Sequence, residues 1–144
     1  MRIVADTNVL ISAIRSPSGA SGFVLKEMLR GHLEFGLSPA LLFEYEDVLK
    51  RQGILGDPPK MTMQEVDIVL DALARCARPA RSYFRFRPVL DDPKDDLLIE
   101  CALAANARFI LTRDSHFTPP LLKPFRLCAI TPKAFLQDFY RNEV

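Results

Sequence analysis

Short apolar runs alternate with amphipathic stretches along the whole of this chain, and that alternation restricts its fold more than any other feature. Residues 2–6 carry the run Ile3-Val4-Ala5 up to Asp6, the pattern of a central parallel strand buried on both faces. Val9 to Ile14 reads as a short helix following at once, and Arg15 to Gly19 as a loop. Ser21 to Arg30 is amphipathic, with Phe23, Val24 and Met28 on its apolar side and Gly31 as its stop. Leu33 to Leu37 predicts a strand. Ser38-Pro39 then opens a helix to about Arg51, with serine as N-cap and proline at the first helical position. Thr62 caps a helix to about Ala77, and Arg81 to Arg87 alternates as a half-buried edge strand does. Asp92-Pro93 begins a helix to about Asn106, followed by strands over Arg108 to Thr112 and Phe125 to Ile130. Thr131-Pro132 caps a last helix to about Tyr140.

Strands that alternate with helices imply a parallel sheet covered on both faces, and 144 residues make one domain spanning 1–144. In such sheets ligands bind beyond the carboxyl ends of the strands. Four acids fall at those ends or at the helix starts facing them: Asp6, Glu44, Asp95 and Asp114. Asp6 closes a buried strand, where a carboxylate is costly unless paired or metal-bound; the plain alternative is an N-cap for the next helix. Glu44 and Glu46 lie on opposite margins of one helix's apolar face, and spacing does not separate them. Asp95 shares a helix side with Leu98 and Ala102 while Asp96 turns away, yet any acid in a first turn is favoured by the helix dipole without further role. Asp114 follows Phe109-Ile110-Leu111-Thr112 and reads equally as a turn residue. Acids that converge in one crevice repel each other unless a cation joins them. Their shared position therefore points to a divalent-metal site and phosphate chemistry.

Composition narrows the metal. Two histidines far apart and three cysteines without Cys-x-x-Cys spacing argue against zinc. Cys101 and Cys128 read as small buried apolar residues. A hard, oxygen-ligated ion, Mg²⁺ or Mn²⁺, suits the acids better. Net charge is +1, but five arginines (Arg75, Arg78, Arg81, Arg85, Arg87) run into four aspartates between Asp91 and Asp96. That is either a phosphate-backbone surface beside a metal site or a solvated edge beside a helix start. The chain opens on a strand and holds no apolar run near the ~20 residues of a membrane helix, so a cytoplasmic protein without membrane association is expected.

The segments Asp6-Thr7-Asn8-Val9-Leu10, Glu44, Asp92-Pro93-Lys94-Asp95-Asp96 and Thr112-Arg113-Asp114, in this order and spacing, resemble the PIN-domain nucleases. In particular they resemble the VapC-like ribonuclease toxins of bacterial and archaeal VapBC-type toxin–antitoxin pairs. Thr131-Pro132-Lys133-Ala134-Phe135-Leu136 is similar to the closing segment of that group, and the likeness covers nearly the whole chain. The resemblance implies a three-layer α/β/α sandwich with a central parallel sheet, and a Mg²⁺- or Mn²⁺-dependent endoribonuclease. It assigns catalysis and metal binding to Asp6, Glu44, Asp95 and Asp114, choosing Glu44 over Glu46 and Asp95 over Asp96. Thr112 matches a supporting position, and Asn8 stands beside Asp6 to orient it or bond the adjoining turn. The family varies most at the fourth acid, Asp114, where asparagine also occurs. Its middle region also varies, so Arg81, Arg85 and Arg87 are candidate RNA contacts on charge alone, together with Arg113. The expected partners are an RNA substrate, a small antitoxin that blocks the site, and further copies of the chain in a homodimer or higher oligomer.

Two other classes compete: a phosphotransfer enzyme or receiver domain, which also begins with an aspartate after its first strand, and a non-catalytic binding module. A dehalogenase-type phosphatase needs a second aspartate where Asn8 stands, and a receiver needs a lysine after a later strand, which Phe109 to Asp114 does not offer. Retention of all four acids disfavours the binding module. Within the same resemblance, the alternative is a PIN-type nuclease that processes RNA outside any toxin pair.

Overall fold

Among the described residues, β1 (Arg2–Ala5) lies at the centre of a five-stranded sheet whose pairings are all parallel. The computed structural model describes residues 1–79, 93–114, 122 and 126–140, with side chains for all of these except 79 and 93–95. On one side of β1 lie β2 (Glu34–Leu37) and then β3 (Arg78–Pro79); on the other lie β4 (Phe109–Leu111) and then β5 (Cys128–Ile130). The helices are α1 (Thr7–Arg15), α2 (Ala20–Leu29), α3 (Pro39–Leu49), α4 (Met63–Cys76), α5 (Pro93–Ala104) and α6 (Pro132–Phe135), the last continued by a π-helical turn, Leu136–Tyr140.

Register shows why this is a three-layer α/β/α sandwich. Ile3 pairs with both Phe35 and Phe109, so these three share a face of the sheet. Against that face the Phe109 ring meets Phe135 at 5.5 Å and Phe139 at 4.7 Å between centroids. Val4 and Ile110 are paired and point the other way, toward α5. There α5 comes so close that a Cβ on Gly36 would stand 2.3 Å from the Ala105 Cβ, and 3.4 Å from Val4 Cγ2. Ile3, Val4 and Ala5 are fully buried, as a strand covered on both faces requires.

The local start signals act as expected. Ser38 Oγ accepts from Leu41 N at 3.1 Å, and Thr131 Oγ1 accepts from Ala134 N at 3.1 Å. Thr62 and Glu65 form a reciprocal capping box. Three expectations are corrected. Phe23 does not face the core: it is 45% exposed and sets its ring edge-on to Tyr140 at 6.4 Å. The last helix reaches Tyr140 as expected, but it keeps α geometry only to Phe135 and is π-helical beyond. Cys128 is half-buried, whereas Cys101 is buried as expected and Cys76 is exposed. The strand expected over Arg81 to Arg87 lies outside the described residues; the pairing beside β2 is made by Arg78 and Pro79. Among the described residues no helix is long and apolar enough to cross a membrane.

Strand order positions the site. From β1 the chain builds outward through β2 and β3, then returns to the opposite side of β1 to build β4 and β5. The reversal falls between β1 and β4, and connections that diverge there leave a crevice at the strands' carboxyl ends.

Candidate active site

Asp6 follows the last residue of β1, and its own N–H donates to Leu111 O of β4 at 2.8 Å. It occupies the N-cap position of α1, but its carboxylate makes no capping hydrogen bond. Instead Asp6 Oδ2 accepts from Thr112 Oγ1 at 2.7 Å and from Asn8 Nδ2 at 3.2 Å. Thr112 is buried, and its hydroxyl in turn accepts from Asp114 N at 3.0 Å and from Asn8 Nδ2 at 3.4 Å. Asn8 Oδ1 accepts from Arg113 N at 3.1 Å. One threonine and one asparagine thus lock the end of β1 to the segment leaving β4, fixing Asp6 and the backbone of Asp114 together.

Glu44 reaches the same place from α3. Asp6, Glu44 and Asp114 line a cleft of about 180 Å³, with Thr7 and Asn8 beside them and Ile11, Leu41, Val48, Leu97 and Leu98 as apolar walls. Glu44 is half-buried, with Oε1 out of contact with solvent. Glu46 is turned to solvent and paired with Lys50 at 3.4 Å. The structure therefore separates two acids that spacing left equivalent. Asp95 stands in the first turn of α5, three residues before the cleft-lining Leu98, and its side chain is outside the described residues. Asp96 is half-buried. Arg113 is exposed and donates from its guanidinium to Ser12 Oγ on α1. Arg81, Arg85 and Arg87 fall outside the described residues.

Burial pushes the Asp6 carboxyl above its ordinary value; the Thr112 hydrogen bond and the neighbouring Thr7 and Asn8 N–H groups offset part of this, and the Asp114 charge adds to it. Neither N–H makes a bond of capping geometry. A buried acid facing a second acid is a place where a cation is welcome. Among the described residues, however, no three His, Cys, Asp or Glu side chains already gather tightly enough to hold an ion. Two larger grooves, each of about 610 Å³, lie elsewhere, one between the end of α3 and the start of α4 and one between α2 and the C-terminal turn. Each is lined by a single carboxylate, Asp57 or Glu27, so size does not mark the chemistry here.

Sequence reasoning passed over two features of this cleft. Leu97 and Leu98 form its wall from α5, which spacing announces only as core. Tyr45, on the buried side of α3, is 1% exposed and donates its hydroxyl to Ala5 O. The available signal was a polar tip on a core aromatic directly beside Glu44.

The sequence matches the family profile described as PIN domain over residues 2–116. No curated protein is significantly similar in sequence. Among solved structures the chain is similar to one in the crystal structure of VapBC2 from Rickettsia felis bound to a DNA fragment from their promoter. The TM-score is 0.55 at 15% identity, covering 91% of this chain and 98% of that chain.

Proposed function

Because this chain belongs to the PIN-domain family, we propose that it is a metal-dependent endoribonuclease and the toxin member of a toxin–antitoxin pair. The observation that carries the reading is the gathering of Asp6, Glu44 and Asp114 from three separate segments around one small cleft at the switch point of the sheet. The donors fit a hard divalent ion: the cleft's described lining offers carboxylates and an amide, with no imidazole or thiol. Asp6, Glu44 and Asp114 would hold Mg²⁺ or Mn²⁺ together with Asp95 from the first turn of α5. When bound, such an ion activates water and neutralises charge on the scissile phosphate.

The chain's own residues supply orientation. Thr112 and Asn8 fix the Asp6 carboxylate, so that it meets a cation without first reorganising. Arg113, exposed and braced on Ser12, is available to hold a flanking phosphate, a contact that positions RNA without reading its sequence. The fold shared with a chain of VapBC2 supports the toxin assignment, and with it a small antitoxin as partner; self-association and a cytoplasmic site of action are part of the same proposal.

The test is Mn²⁺-dependent cleavage of RNA by the purified chain, compared with Asp6→Asn. The variant should retain its circular-dichroism spectrum and lose cleavage. Undiminished cleavage by a clean Asp6→Asn preparation would overturn the assignment.

A further inference from the structure

We propose that Tyr45 is a positioning residue for the cleft, and that its hydroxyl sets how far Glu44 on α3 reaches toward Asp6 at the end of β1. The inference rests on the metal-dependent nuclease reading above. Tyr45 follows Glu44 in α3, and successive helical residues diverge by about 100°, so one faces the core while the other faces the cleft. Tyr45 is 1% exposed, and its hydroxyl donates to the carbonyl oxygen of Ala5, the residue immediately before Asp6. A phenylalanine would fill the same space. A buried hydroxyl adds a desolvation cost and is accommodated only where it is hydrogen-bonded.

This bond differs in kind from the apolar contacts around it. Leu41 and Val48 hold α3 against its neighbours without direction, whereas a hydroxyl on a carbonyl fixes distance and angle. The β1 side of the cleft is already fixed without α3, because Asp6 N pairs with Leu111 and its carboxylate with Thr112 and Asn8. Glu44 comes from a different element, and Tyr45 is the tie between that element and the strand end.

The experiment compares the wild type, Y45F, D6N and Y140F with Mn²⁺ alone, counting the free ion by electron paramagnetic resonance, and then measures RNA cleavage. Tyr140 is the matched control: a buried phenol donating to Glu27 Oε1 at 3.1 Å, on no wall of the cleft. We expect Y45F to weaken Mn²⁺ binding about tenfold, as loss of a group orienting a ligand does. Its kcat should fall with KM for RNA unchanged, and Y140F should match the wild type in both. Wild-type Mn²⁺ binding and kcat in Y45F would overturn the proposal, as would equal weakening in Y45F and Y140F, which signals general loosening. If the wild type binds no more Mn²⁺ than D6N, the metal reading itself falls and the positioning role with it. The wild-type arm separates that outcome from failure of Tyr45 alone.

Discussion

Asp6 is an acid whose surroundings disfavour its charge, and this has a consequence opposite to the usual one for a carboxylate. Burial, and to a lesser degree Asp114, raise its value in the folded state above the ordinary 3.8. Between 3.8 and that raised value the native state binds more protons than the unfolded one. Stability without metal therefore falls as pH rises through the window, and stays lowered above it. Asp6→Asn removes the charge while keeping an acceptor for Thr112. In chelator at pH 7 it should melt above the wild type, with the difference vanishing below about pH 3.8; thermal melts check this, and a wild type that melts equally high at pH 7 would contradict it. Sequence made Asp6 stand out because an acid at the end of a buried apolar run is conspicuous by itself. Spacing alone did not distinguish Glu44 from Glu46, because both border the same apolar face. Which margin looks into the cleft depends on where α3 lies against β1, and only the fold decides that.

At the scale of elements, helix starts and ends were legible to within about two residues, and the contacts between elements were not. Ser38, Thr62 and Thr131 each announce a helix because capping is satisfied within four residues of the cap. The final helix reaches Tyr140 as its pattern announces, but it passes from α to π geometry where Phe135 and Phe139 both meet the Phe109 ring, contacts 26 and 30 residues away in sequence that no local pattern encodes. Gly36 has a similar status. In the sequence it is a glycine in a short apolar run; in the fold it is where α5 lies against the sheet, with no room for a methyl group beside Ala105. Gly36→Ala should force α5 outward and cost about 1–3 kcal/mol. The melting temperature should fall by roughly 3–10 °C for a domain of this size. Cleavage should fall too, since α5 carries Leu97, Leu98 and Asp95. A variant melting like the wild type would show that α5 can shift freely.

For the whole molecule, the strand order β3-β2-β1-β4-β5 turns separate acids into one site. If the cleft holds a divalent ion only when folded, the ion must stabilise the fold by mass action. At about a hundred times the dissociation constant this amounts to ~2.7 kcal/mol. The melting temperature should rise on the order of 8 °C with Mn²⁺, return on adding a chelator, and not move in Asp6→Asn. Scanning fluorimetry checks all three, and a wild type insensitive to Mn²⁺ would count against the metal. The alternation of strands and helices, the caps and the prominence of Asp6 are written in the chain locally, because periodicity, capping and the cost of a buried charge are set within a few residues. Spacing left Glu44 and Glu46 tied, the family resemblance favoured Glu44, and the fold puts Glu44 in the cleft; that Thr112 and Asn8 share one carboxylate and that Tyr45 ties α3 to the end of β1 emerge from the packing alone. Tyr45 and Thr112 stand 40 and 106 positions from their partners Ala5 and Asp6, and the chain acquires those contacts only when α3 and the end of β4 come to lie beside β1.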